Sequence, residues 1–251
     1  MEPSKLNKIL NAIAALSIFG LLIYVIWIVY PGKDNFQLSL LWPWRNIIIR
    51  GFFITIAASL ITLVLSILIG FGLYLLTSSK ILVLKYLGTI FNEIVFGSPL
   101  VVFVLVIYYF IAVPANMDNR FIAGVIALSL YMAPYMKNLF EGAIKTIDDL
   151  QFQAMTVLGF TKIQQYRYII LPQLVRVIMP PLIGNLTFII KGSSLLNFIG
   201  VPELYNQLTF IQYDNFLAIE GYLLMFVTYL MITIPLIRLT KFFEKKVVSW
   251  S

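Results

Sequence analysis

With no cysteine and no histidine, the chain has no thiolate and no imidazole. Zinc hydrolysis, Ser-His-Asp chemistry and thiol nucleophiles are therefore closed to it. Its chemistry must come from eleven carboxylates, eighteen lysines and arginines, and hydroxyl groups. The acids are scattered. Asp148-Asp149 is the one adjacent pair, and its place before a helical stretch suits a helix start better than a catalytic dyad.

Glu93 and Lys191 stand out among the ionisable residues because they fall well inside long apolar runs, away from the ends of those runs. A charge in hydrocarbon is costly and is kept where it lines a pathway or meets a partner. Lys191 lies about 20 Å along its run from Arg176 at the helical rise, toward the outer face, and Glu93 nearer the cytoplasmic end. Gly184, Thr187, Lys191 and Ser194 recur at helical spacing, with Ser193 and Asn197 beside them. That face either lines a translocation path, or Lys191 snorkels or pairs while the small residues pack helices. Tyr131, Tyr135, Asn138 and Gly142 form a second such face, and Thr55, Ser59, Thr62, Ser66 and Gly70 form a stripe suited to close helix contact. Gly97-Ser98-Pro99 should bend or unwind its run, because proline lacks an amide proton and crowds the preceding turn. Pro180-Pro181 should do the same. Broken helices occur at transport sites, although a packing kink has the same cause.

The elements that carry these residues follow from composition. The chain is 61% hydrophobic and 12% charged, against roughly 45–50% and 25% in soluble domains. Too few charges remain to cover a soluble body of 251 residues, so the bilayer is the expected solvent. Six apolar runs are long enough to span it: 9–30, 47–76, 87–113, 121–139, 172–199 and 219–239. The first ends at the turn signal Pro31-Gly32-Lys33-Asp34 and is too long for a cleaved leader. With both termini in the cytoplasm, thirteen of the eighteen basic residues fall inside, as the positive-inside rule requires. The net charge of +7 is then topological, and nucleic-acid binding has no support.

The stretch between the fourth and fifth runs, about 141–172, has helical spacing rather than linker composition. Thr146-Ile147-Asp148-Asp149 supplies cap residues, Gly159 can take a left-handed backbone that ends one helix, Thr161 can open another, and Pro172 suits the first turn of the next span. The expectation is a compact helix-turn-helix.

Gln153-Ala154-Met155, three residues, Gly159, nine residues, then Ile169-Ile170-Leu171-Pro172 is similar to the EAA loop of ABC importer permeases, which reads Glu-Ala-Ala, three residues, Gly, nine residues, Ile, one residue, Leu-Pro. Glu93-Ile-Val-Phe96-Gly97-Ser98-Pro99-Leu100, Lys191-Gly-Ser-Ser-Leu195 and Ile199-Gly200-Val201-Pro202-Glu203-Leu204 resemble segments of the polar amino acid branch. There Phe96 stands where arginine is usual, Asn138 and Glu141 where glutamate and arginine are often found, and Gly192 where aspartate is found. The resemblance implies a type I permease fold, all-α, with six transmembrane helices. Residues 47–246 would form the permease domain, 1–46 an extra N-terminal helix and outer loop, and 247–251 a tail. It implies docking of an ABC ATPase through Gln153, Ala154, Gly159, Ile169, Leu171 and Pro172. It places a substrate path along Glu93, Gly97, Ser98, Pro99, Asn138, Thr187, Lys191, Ser193 and Ser194. The implied partners are the ATPase subunits, an extracytoplasmic solute-binding protein, a second permease subunit, identical or related, and an amino acid substrate. ATP and magnesium would sit on the ATPase, since the chain has no Gly-x-x-x-x-Gly-Lys-Ser/Thr loop. Loss of charge at positions 96, 138 and 192 favours a neutral or zwitterionic substrate. The rival reading is a stand-alone channel or ion-coupled carrier using Glu93 and Lys191 as a pair across its path.

Overall fold

Small residues set the first long contact. In the computed structural model, which describes residues 5–30 and 36–248, Arg45–Thr77 form a 33-residue helix, α2. Its stripe Thr55, Ser59, Thr62, Ser66 and Gly70 is buried. A Cβ placed on Gly70 would lie 2.5 Å from Met136 Cβ and 2.7 Å from the Ala133 carbonyl. At this end of the stripe α2 thus lies directly on α5 (Arg120–Ile144).

Among the described residues the chain is helical throughout, with no strand. It divides into two units between Trp42 and Pro43. The first holds α1 (Lys5–Val29), an apolar helix that carries Leu16, Phe19, Leu22 and Val29 among its exposed residues. The turn expected at 31–34 lies outside the described residues, as does the tail from 249 onward.

The second unit continues through α3 (Leu82–Gly97), α4 (Leu100–Ile107) with a π turn to Ala112, α5, α6 (Asp149–Val157), and the three-residue α7 (Lys162–Gln164). A further π turn leads to α8 (Leu171–Gly192), followed by a 3-10 turn (Ser193–Ile199), α9 (Leu204–Asn215) and α10 (Ala218–Val248). α5 packs against α2, α3, α4 and α8, around a core of Val95, Phe103, Leu128, Met132, Met136 and Ile189.

Two helix-breaking signals have different outcomes. The run 87–113 is not one straight span: helix ends at Gly97, Ser98 and Pro99 are extended, and α4 leaves at 120° to α3. Pro180 and Pro181, by contrast, are taken up inside α8 without interrupting it. They remove two successive amide donors, Pro180 buried and Pro181 exposed, and the helix continues on either side.

Among the described residues, three helical stretches, Leu38–Thr77, Lys162–Ile199 and Ala218–Lys245, are long and apolar enough to cross a membrane, and α3 with α4 would make a fourth if the bent pair is one span. α5 is less apolar because its surroundings are protein: residues from Ala123 to Met136 are buried on most of its circumference, and Lys137, Asn138 and Glu141 follow.

Candidate functional site

The segment expected to be a helix-turn-helix is one. Asp148 caps α6 by accepting the Leu150 N–H at 2.9 Å, and Asp149 adds negative charge to the first turn. α6 ends where Gly159 adopts φ +74°, a backbone that glycine takes without steric cost. The Phe160 N–H returns to the Met155 carbonyl at 3.0 Å. Thr161 and Gln164 then form a reciprocal capping box, and the buried Gln165 donates from Nε2 to the Phe160 carbonyl at 3.1 Å. Ile147, Met155 and Ile170 make a small core, flanked by Phe152, Phe160 and Ile169. Met155, where an alanine was expected on the family pattern, fills that core.

This knob presents Gln153, Ala154, Gly159, Leu171 and Pro172 at its surface, with Ile169 half-buried. Val157 is 87% exposed, Leu158 73% and Ile163 77%. Apolar groups this bare at the end of a folded element mark a contact surface. Just before it, Glu141 at the end of α5 is paired with Lys137 and with Lys145, the latter at 2.8 Å. Hydrogen bonds from Lys137 and Lys145 hold its carboxyl down at about 2.

The residues expected along a substrate path divide into two groups. Glu93, Gly97, Pro99, Asn138 and Lys191 are exposed, Asn138 meeting Lys137 Nζ at 3.5 Å. Thr187 and Ser193 are buried and donate to the Ile183 and Ile190 carbonyls at 3.0 and 2.9 Å; half-buried Ser194 donates to Lys191 O at 2.7 Å. These hydroxyls are satisfied within their own helix.

At the break, Ser98 Oγ donates to the Val95 carbonyl at 3.1 Å and the Tyr131 hydroxyl reaches the Ser98 carbonyl at 3.4 Å. The Val95 carbonyl, which Pro99 cannot serve because it has no amide proton, accepts instead from Ser98, and an α5 side chain reaches the carbonyl at the extended break itself. Phe96 meets Tyr135 edge-on with centroids 5.1 Å apart, and Tyr135 stacks on Phe188 at 6.0 Å. Rings from α3, α5 and α8 therefore form one layer, with Glu93, Asn138 and Lys191 each about a turn away in sequence.

Three clefts in the second unit are apolar and lie elsewhere. One of about 430 Å³ is lined by Phe52, Ile56, Ile190, Met231 and Pro235, another of about 320 Å³ lies between α2, α5 and α8, and an open one of about 590 Å³ has Arg50 and Asn119 at its edge. The charged path candidates Glu93 and Lys191 are instead exposed.

Sequence reasoning missed Glu203. It entered only within the family-like segment 199–204 and was given no role, yet it is wholly buried and accepts hydrogen bonds from Thr55, Tyr229 and the Asn206 N–H.

Residues 82–249 match the family model described as binding-protein-dependent transport system inner membrane component. A probable glutamine ABC transporter permease of Bacillus subtilis (strain 168) is 27% identical, covering 84% of this chain and 97% of the relative. A probable amino-acid permease of the same organism is 31% identical over 79% of this chain and 90% of the relative. The glutamine transport system permease of Escherichia coli (strain K12) is 30% identical over 84% and 98%. Among solved structures, an amino acid ABC transporter crystallised with histidines superimposes with a TM-score of 0.75 at 26% identity, covering 84% of this chain and 98% of that one. An inward-facing form of the methionine ABC transporter MetNI shares the fold, with a TM-score of 0.62 at 19% identity over 83% and 98%.

Proposed function

The chain belongs to the binding-protein-dependent transport system inner membrane components, in the polar amino acid branch of ABC importer permeases, and from that premise we propose that it forms the translocation path for a neutral or zwitterionic polar amino acid and couples passage to ATP hydrolysis on a separate subunit. The observation that carries this reading is the knob. Its own core orders it, it leads without a break into α8 through Lys162–Ile199, and its bare apolar residues need a protein partner. Displacing such a knob displaces the helix it continues.

The open face bearing Glu93, Asn138 and Lys191 is a half-path. It needs a second permease subunit as its other wall, and an extracytoplasmic binding protein to deliver solute. Two of the relatives are named as glutamine permeases, and glutamine fits a path that carries Phe96, Asn138 and Gly192 where the branch tends to be charged. The topology that fits the basic residues has six spans, both termini cytoplasmic, with α1 as an extra N-terminal helix. About a sixth of the chain lies outside the region shared with relatives matched over nearly their whole length.

The test is detergent co-purification on the tagged full chain. An ABC ATPase is expected to accompany the wild type and to be lost from Gly159→Val. Absence of an ATPase in several mild detergents would overturn the reading, as would undiminished recovery with the variant. Uptake of arginine or lysine alone would overturn the substrate class.

A further inference from the structure

The 3-10 turn that ends α8 is tied to three other helices by one hydrogen-bonded chain. Asn197 in that turn accepts from Asn206 Nδ2 of α9 at 2.7 Å. The backbone N–H of Asn206 donates to Glu203 Oε1 at 2.8 Å, so Glu203 caps α9. The other carboxylate oxygen, Oε2, accepts from Thr55 Oγ1 of α2 at 3.2 Å and from the Tyr229 hydroxyl of α10 at 3.1 Å. Thr55 Oγ1 in turn accepts the Leu204 N–H at 3.1 Å, so its single proton is committed to Glu203. Gly51, one turn before Thr55, permits the approach: a Cβ there would lie 3.0 Å from Leu204 Cα and 3.2 Å from the Glu203 carbonyl carbon.

Burial pushes the Glu203 carboxyl up, and the amides of Tyr205 and Asn206 with the Tyr229 and Thr55 hydroxyls pull it back. A buried carboxyl is tolerated only while such donors surround it. It therefore holds its partners in one arrangement, where an apolar contact would let them slide.

We propose that Glu203 is a positioning residue that makes the far end of α8 move together with α2 and α10, so that force received at the knob reaches all three helices as one body. This rests on the reading of the knob as the ATPase contact. The knob and the Glu203 junction lie beyond opposite ends of the same helix, and the Asn197–Asn206–Glu203 chain is a direct polar route from its outer end to α2 and α10.

The experiment compares Thr55→Val, Thr55→Ser and Tyr229→Phe in the full chain, purified with its ATPase and binding protein and reconstituted in vesicles, reading labelled amino-acid uptake per ATP hydrolysed. Valine keeps the shape of threonine and removes the hydroxyl; serine keeps the hydroxyl; phenylalanine removes only the tyrosine donor. Uptake per ATP is expected to fall about tenfold in Thr55→Val and Tyr229→Phe, and to stay within about twofold of wild type in Thr55→Ser. Variants that keep the wild-type ratio would overturn the proposal. So would uptake and hydrolysis falling in parallel, or failure of both Thr55→Val and Tyr229→Phe to assemble, since a purely structural junction gives those results. A wild-type complex without ATP-driven uptake would sink the importer reading first, and is told apart by needing no variant.

Discussion

Gly70 and Gly72 lie on one helix and differ only in what they face. At Gly70 a methyl group would meet Met136 Cβ and the Ala133 carbonyl, and at Gly72 it would meet nothing within 4 Å. Gly70→Ala is expected to cost about 1–3 kcal/mol by overpacking. Gly72→Ala should be neutral or stabilising by up to about 1 kcal/mol through helix propensity. Thermal unfolding of the two variants in detergent checks this; equal midpoints would remove the close α2–α5 contact from the account. This part of the core was legible, because Thr55, Ser59, Thr62, Ser66 and Gly70 recur at helical spacing in an apolar run. Glu203 was not legible. Its neighbours Thr55 and Tyr229 are 148 and 26 residues away in sequence, and nothing local distinguishes a buried glutamate in a turn from an exposed one.

The knob is the element whose outline was clearest in advance. Cap residues, a glycine and a proline act locally, so Asp148, Gly159 and Thr161 could be assigned their places from spacing alone. Open space surrounds Gly159, so a substitution there acts through the left-handed backbone only, which costs about 1–2 kcal/mol for a residue with a Cβ. Asparagine tolerates that conformation best and a β-branched residue worst. ATPase recovery is expected to fall in the order Gly159→Asn, Gly159→Ala, Gly159→Val, and the reverse order would contradict the turn's role. The π turns at Tyr108–Ala112 and Gln165–Ile170 left no such local mark. Nor did the 120° turn between α3 and α4: the proline announced a break, but packing sets its angle.

The inner end of α5 carries a pH dependence. The lysine pair holds the Glu141 carboxyl at about 2, below its ordinary 4.5. A lowered pKa means that this stabilisation is whole above about 4.5 and fades as pH falls from there toward about 2. Glu141 is 36% exposed, so screening keeps the effect modest. Glu141→Gln should lose a few degrees of thermal stability at neutral pH and close the gap to wild type as pH falls below 4.5. A gap that widens on acidification would contradict the pairing.

Across the whole molecule, composition alone put the chain in the bilayer, since charge content is independent of how helices are arranged. The arrangement of the path was not readable in the same way. Periodicity grouped Thr187, Lys191 and Ser194 on one face, whereas the structure turns Thr187 inward and leaves Lys191 outside. Whether a polar residue on a helix is lined up with solvent or with another helix depends on neighbours that periodicity does not specify. The same holds for Glu93 and Asn138, which are exposed and to which the proposed assembly would add a second wall.

That assembly is the central claim. It is tested most directly by reconstituting the chain in vesicles, alone and together with its co-purified ATPase and binding protein, and following labelled glutamine. The account expects uptake only in the complete assembly, only with ATP, and none from the chain alone. Glutamine movement by the purified chain without nucleotide would contradict it and make the protein a carrier in its own right.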